Sequence, residues 1–408
     1  MFRAQFKMIR YNRGLQINSL LALFSTTLTI IIGVIFSPLL TRLMPRNDYG
    51  MLSYVASIQG LLVAFSAPGI GSAISYSIAR GYDSHFKDGT IRRAIVIFRN
   101  GLFLLPAVIW FYFSDFGFSS ILLIVLIITP FSYGLDTSEY FLVGKSDFRS
   151  IMWRRILGLF VISFSSVLCA YIYPTAMFVF SGRSLVGSVV NLIIFFALIK
   201  KVENNYRDPN FDKMSNNYSF VSTVNTVASQ IDRVILGYIG GFNLFAGYSL
   251  AMSLSSPIDG ITKSVNKIAF AKMAVHREKE QRQFWVISSF AYVIVISFLA
   301  LITWYYVFPT VYIYFPKYPE LLYLMPILLV CPVVETGTSL GLVYTQFNAI
   351  EVWKKYEVFI NTSRIISMPL CIVFFGVWGA LWNQCIYSII SFCFFNFHLW
   401  NGLISKEN

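Results

Sequence analysis

Eleven ionisable side chains lie inside long apolar runs of this chain. Six are basic (Arg99, Arg183, Arg233, Lys263, Lys267, Arg364) and five acidic (Asp136, Glu139, Asp232, Asp259, Glu335). At membrane depth such groups are costly, so they face a bundle interior, a wet cavity or one another. Cations held there attract anions, and carboxylates there titrate or hold a cation. Spacing places several on common helix faces at 100° per residue. Ser222, Thr226, Ser229 and Arg233 fall on one line, with Val224, Val227, Ile231 and Ile235 opposite. Ser256, Gly260, Lys263 and Lys267 form a second stripe, with Asp259 one turn before Lys263. Thr129, Ser132, Asp136 and Glu139 form a third. Glu335, Thr338, Ser339 and Gln346 form a fourth, interrupted by Leu342.

Structural readings compete with functional ones at several of these positions. Arg99 follows Arg92 and Arg93 closely and reads equally as a side chain reaching back to the membrane surface. Arg364 and Lys267 share that alternative. Asp259 and Lys263 are spaced as a structural i, i+4 pair, and Asp232 is a natural partner for neighbouring cations. Arg233 and Arg183 lie deeper, where exposure to a cavity is the better expectation.

Motifs for bond chemistry are missing. The chain has no phosphate-binding GxxxxGK[ST], no HExxH and no CxxC, and His85, His276 and His398 are scattered. Ala67–Gly71 (APGIG) sits within an apolar run and is expected to kink a helix, not to cradle phosphate. Cys169, Cys331, Cys371, Cys385 and Cys393 lie in apolar runs without metal-ligand spacing. No enzyme, metal centre or cofactor is expected.

The elements carrying these residues follow from composition. The 408 residues are 56% hydrophobic and 12% charged, with a mean hydropathy of +0.65. A soluble chain carries about 25% charge, and single cores stop growing near roughly 250–300 residues. Twelve apolar runs suit membrane-spanning helices of about 20 residues: 15–40, 51–79, 94–113, 119–143, 156–173, 175–199, 218–239, 245–271, 284–308, 321–347, 358–375 and 377–400. The first is too long for the core of a cleaved leader. Placing the N-terminus inside puts 23 of the 32 Lys and Arg in inner loops, among them Lys145, Arg154 and Arg155, and 3 in outer loops. That bias predicts cytoplasmic termini and accounts for the +13 net charge without nucleic acid.

A polar stretch, 200–217, divides the runs six and six. It predicts lobes at 1–199 and 218–408 joined by a cytoplasmic linker. Pro130 and Glu139 recur as Pro326 and Glu335 at an offset of 196 residues. Trp153-Arg154-Arg155 recurs as Trp353-Lys354-Lys355 at an offset of 200. The expected fold is therefore all-α, with twelve transmembrane helices in two pseudo-symmetric lobes around a central cavity.

The stretch from Ser37 to Gly50 (SPLLTRLMPRNDYG), followed by MLSYVASI, and the QIDRVILGYIGG segment with Gly247-Tyr248-Ser249, resemble the O-antigen flippases (Wzx type) of the multidrug/oligosaccharidyl-lipid/polysaccharide exporter superfamily. The resemblance implies a multi-pass protein of the bacterial inner membrane. It implies transfer of oligosaccharides linked to undecaprenyl diphosphate between leaflets by alternating access. Membrane lipids and other polysaccharide-assembly proteins are implied partners, and a proton or sodium gradient an implied energy source. On that view Arg233, Arg183, Lys263, Lys267, Arg99, Arg364, Ser222, Thr226 and Ser229 would line a cationic cavity. Glu139, Glu335, Asp136, Asp232 and Asp259 would be candidates for ion coupling. A polymerase or ligase of the same pathway, or a cation/drug antiporter on the same scaffold, are the alternative functions.

Overall fold

A computed structural model describes residues 2–273, 279–348 and 350–401, with side-chain surroundings for a narrower set. The described chain is all helical. Thirteen α-helices follow in order: α1 (Phe2–Leu43), α2 (Arg46–Ala64), α3 (Gly69–Ala79), α4 (His85–Gly101), α5 (Leu105–Ser114), α6 (Phe116–Thr129), α7 (Ser138–Gly144), α8 (Phe148–Ile172), α9 (Ala176–Ile199), α10 (Phe211–Met273), α11 (Lys279–Tyr314), α12 (Leu321–Asn348) and α13 (Ile350–Asn401). Among the described residues, eight helical segments are long and apolar enough to cross a membrane, or nine when the bent pair α2–α3 counts as one. Their outer surfaces are apolar: Phe103, Trp110 and Phe113 are 82%, 75% and 84% exposed. Water does not tolerate such a coat, and lipid does. The protein is a multi-pass membrane protein.

Two of these segments are broken by glycine. Gly241 (φ 73°) interrupts α10, and Gly376 (φ 59°) interrupts α13. A side chain at Gly241 would be strained, because positive φ is disfavoured for residues bearing a Cβ. The breaks fall where the sequence separates 218–239 from 245–271 and 358–375 from 377–400.

Packing divides the chain into two compact units, one of Ile32–Ala246 and one of Met1–Ile31 with Gly247–Asn408. These boundaries fall inside α1 and α10, whereas the sequence division falls at 200–217. The first part of α10 belongs to the Ile32–Ala246 unit because it packs on α2 and α3. Thr223 Oγ1 donates to the Ala64 carbonyl at 2.8 Å, and Ser219 Oγ accepts from Gly69 N at 3.0 Å. Gly50 meets the break in α10 so closely that a Cβ would lie 1.9 Å from the Phe242 carbonyl oxygen. Beside this contact, Tyr54 packs against Phe118, Phe242 and Phe245 at centroid distances of 5.5–6.0 Å.

The irregular joints of this unit are hydrogen-bonded, as buried backbone away from water must be. The APGIG segment is a kink: α2 and α3 meet at 56°, with Ala67 at φ 53°. The Phe65 carbonyl exposed there accepts from Asn100 Nδ2 at 2.6 Å. Between α6 and α7, Pro130–Gly134 forms a π-helical turn, and Asn191 Nδ2 of α9 donates to its Ser132 carbonyl at 2.6 Å. Asp147 caps α8 by accepting from Ser150 N at 3.1 Å. Asp48 of α2 accepts from Ala176 N at the start of α9 at 3.0 Å.

The polar segment after α9 is a strap fastened to the α3–α4 turn. Fully buried Asp83 accepts from Glu203 N at 3.1 Å and from Lys145 Nζ at 2.9 Å. Ser84 Oγ donates to the Tyr206 carbonyl at 2.8 Å. Asp208 N donates to His85 Nε2 at 2.7 Å, and the His85 ring stacks on Phe211 at 4.1 Å. Burial works against the Lys145 ammonium, but the hydrogen bonds and charges of Asp83 and Glu203 outweigh it and raise its pKa above the ordinary 10.5.

The other unit is held by α11, α12 and α13. Tyr356 stacks on Phe394 at 3.6 Å, Phe290 meets Phe392 edge-on at 4.7 Å, and Asn396 Nδ2 donates to the Gly337 carbonyl at 3.2 Å. The repeated proline behaves differently in the two halves. Pro130 opens the π-helical turn, whereas Pro326 lies inside α12.

Candidate functional site

A cavity of about 320 Å³ opens within the Ile32–Ala246 unit. Ala56 and Gln59 of α2 form one wall; Ser132 and Tyr133 come from the π-helical turn, Asp136 from the link that follows it, and Glu139 from α7. Arg154, Arg155 and Gly158 of α8, with Phe180, Arg183, Ser184 and Asn191 of α9, complete it.

Its charges are arranged unevenly. Arg154 pairs with Asp136 through one terminal nitrogen and approaches Glu139 Oε2 at 3.7 Å through the other. Arg155 embraces Glu139, with Nε donating to Oε2 at 3.1 Å and a terminal nitrogen reaching Oε1. Forked guanidinium–carboxylate pairing of this kind is the stronger form of ion pair. Arg183 has no ion pair among the described residues. Three guanidinium groups therefore face two carboxylates, leaving one net positive charge. Arg93 of α4 supports the arrangement from behind, 3.5 Å from the Asp136 carbonyl.

Neutral polar groups hold the charged turn in place. Gln59 Nε2 donates to Thr129 Oγ1 at 3.0 Å, one residue before Pro130. Asn191 occupies the freed Ser132 carbonyl. The π-helical turn thus has a tether on each side, and it delivers Asp136 and Glu139 to the face of α8. The cavity presents fixed donors to an anion. Among the described residues, no group of three or more His, Cys, Asp and Glu side chains converges to hold a metal ion.

Of the residues expected from the sequence, Arg183, Ser132, Asp136 and Glu139 line this cavity and the other described ones do not. Ser222, Thr226, Ser229 and Arg233 sit on α10, where Thr226 donates to the Ser222 carbonyl and Ser229 to the Thr226 carbonyl, both at 2.8 Å. Arg233 Nε is buried without a hydrogen-bond partner among the described residues, and Asp232 is fully buried. Arg99 is exposed on α4. Arg364 and Glu335 belong to the other unit, where Glu335 accepts from Ser388 Oγ at 3.0 Å. The side chains of Lys263, Lys267, Asp259 and Gln346 lie outside the described residues.

Arg154, Arg155, Gln59 and Asn191 were not among the expected site residues. The two arginines count in the sequence as inner-loop cations, yet they lie six and seven residues into α8, about 10 Å from its start. The signal that finds them is the capping sequence Asp147–Ser150, which starts the helix ahead of the arginines.

Residues 16–270 match the family model described as polysaccharide biosynthesis protein. No curated protein matches the chain. Among solved structures, it is similar to an outward-facing multidrug resistance MATE family transporter of the MOP superfamily, at 16% identity and TM-score 0.63, over 97% of this chain and 96% of that one. It is similar to the MATE multidrug transporter DinF-BH, at 13% identity and TM-score 0.65, over 96% of each chain. It is also similar to the lipid II flippase MurJ in an inward closed conformation, at 14% identity and TM-score 0.59, over 94% of this chain and 87% of that one. At these identities the likeness establishes the fold.

Proposed function

Because the chain belongs to the polysaccharide biosynthesis protein family and has the fold of MOP-superfamily transporters, we propose that it flips lipid-linked oligosaccharides. The substrate would be a surface-polysaccharide repeat unit, such as that of O-antigen, on undecaprenyl diphosphate. It would pass from the inner to the outer leaflet of the bacterial inner membrane by alternating access, with both termini cytoplasmic and the 218–408 helices acting as the second lobe. The observation that carries this reading is the net positive cavity at Arg154, Arg155 and Arg183 in a membrane-spanning unit. Diphosphates are recognised by guanidinium forks, and the attraction strengthens away from bulk water.

Arg233, Arg364, Lys263 and Lys267 would extend the anion path, and Glu139 with Glu335 would serve coupling to a proton or sodium gradient. Flipping makes and breaks no covalent bond, so the protein would act without catalytic residues. An antiporter of cationic drugs would want an acidic cavity, and the net charge here has the opposite sign.

The test is a deletion strain, complemented with the wild-type gene. Lipid-linked repeat units should accumulate facing the cytoplasm, and polymerised glycan should vanish from surface-polysaccharide gels until the gene is restored. Normal delivery of the lipid-linked unit to the outer leaflet in a strain lacking every paralogue would refute the assignment.

A further inference from the structure

The arginines best placed to hold an anion are already occupied. Arg154 and Arg155 are taken by Asp136 and Glu139, while Arg183, lining the same cavity, has no ion pair among the described residues. We propose that Asp136 and Glu139 are built-in competitors for the anion site: an incoming diphosphate lands on Arg183 and then displaces the two carboxylates from Arg154 and Arg155. The diphosphate class rests on the transport reading above, and the competition itself rests on the geometry.

The pairs face open volume. The Asp136 and Glu139 side chains are 41% and 29% exposed, in a cavity of about 320 Å³. A structural ion pair sealed in a core has nowhere to go, whereas these carboxylates line open volume on one side. A diphosphate oxygen accepts from a guanidinium fork as a carboxylate does. Arg154 also holds its two acids unequally, in direct contact with Asp136 and at 3.7 Å from Glu139. One grip can therefore loosen before the other.

The arrangement solves a problem of release. Three unopposed arginines around a diphosphate would retain it. Carboxylates waiting beside the same arginines supply replacement partners as the anion leaves, so exit does not strand buried guanidinium charge. The sign of the consequence is distinctive: neutralising a carboxylate should tighten anion binding and slow transport. A carboxylate that merely held the fold would leave affinity unchanged or weakened.

The experiment titrates purified full-length protein in detergent with two probes, inorganic pyrophosphate and farnesyl diphosphate, by calorimetry at low salt. Glu139→Gln should bind both probes about fivefold or more tightly than wild type, while Arg183→Ala should weaken binding in either background. Tighter binding of farnesyl diphosphate alone supports displacement by a lipid headgroup; an equal gain for pyrophosphate supports displacement by any diphosphate. Should Glu139→Gln fail to fold in detergent, Asp136→Asn carries the same prediction. Unchanged or weaker affinity in a folded variant, or no anion binding by any form, overturns the competition. The deletion experiment stands apart: normal glycan export without the gene removes the transport reading and leaves an anion site governed by the same competition.

Discussion

Lys145, in the turn between α7 and α8, donates to the fully buried carboxylate of Asp83 at 2.9 Å, across 62 residues of sequence. The same ammonium lies 3.3 Å from Glu203 at the start of the strap. Three segments far apart in the chain are thus tied by one cation. Replacing Lys145 by Met leaves Asp83 buried without its counter-charge. The expected cost is about 2–3 kcal/mol, below that of a fully buried pair because Lys145 reaches solvent. The pKa of Lys145 lies above its ordinary 10.5 in the folded protein, so its contribution is complete below that value and is lost as pH rises through the higher folded value. Thermal unfolding followed in detergent from pH 8 upward should show wild type losing this increment and Lys145→Met lacking it throughout.

Gly50 predicts a steric failure. Its missing Cβ leaves room for the Phe242 carbonyl, and that carbonyl belongs to backbone, which cannot rotate away as a side chain can. Gly50→Val should cost about 1–3 kcal/mol and loosen the break at Gly241. Limited proteolysis near 240–244 should accelerate, while an equivalent change at Gly33, which has nothing within 4 Å of its Cβ position, should have little effect.

The pair of Arg155 and Glu139 is open to a double-mutant cycle. Arg155→Gln and Glu139→Gln should each lower the unfolding temperature, and the double variant should recover part of the loss. A coupling energy on the order of 1 kcal/mol is expected for a partly exposed forked pair. Strict additivity would mean that the two side chains do not interact in solution.

Arg183 and Arg233 test the proposed anion path. Arg183→Ala should reduce surface glycan strongly with normal protein levels in the membrane, since this guanidinium lines the cavity without a paired acid among the described residues. Arg233→Ala should also reduce it, and Arg233→Lys should be milder. Quantitative polysaccharide gels with matched immunoblots give the readout. Full export in Arg233→Ala would put that residue off the path.

Much of this architecture is legible in the sequence because a bilayer imposes one rule on every helix. The apolar runs, the kink at APGIG and the polar face ending at Glu139 all follow from periodicity and from Pro and Gly placement. The partners of Asp136 and Glu139 do not. Hydropathy starts a helix at its first apolar residue, so Trp153-Arg154-Arg155 reads as an inner-loop cluster ahead of 156–173. A capped helix begins where its amides are satisfied, at Asp147, and that draws the arginines inside. The strap is hidden for a related reason. Residues 200–210 have a linker's composition, and only the fold brings His85 and Asp83 beneath them. The repeated Pro–Glu spacing conceals a difference as well, because Glu139 found arginines while Glu335 took a serine hydroxyl.

The π-helical turn and the pairs it delivers also bear on how the chain is made. Asp136, Glu139, Arg154 and Arg155 lie on adjoining arms of one hairpin, with paired residues 16 and 18 positions apart. Four charges that would each resist entry into hydrocarbon cancel as soon as the hairpin closes. No later helix is needed to neutralise them. The segment from α6 to α8 can therefore leave the ribosome and settle into the bilayer with these two pairs already balanced, and with the cavity arginines in place before the second half of the protein has been synthesised.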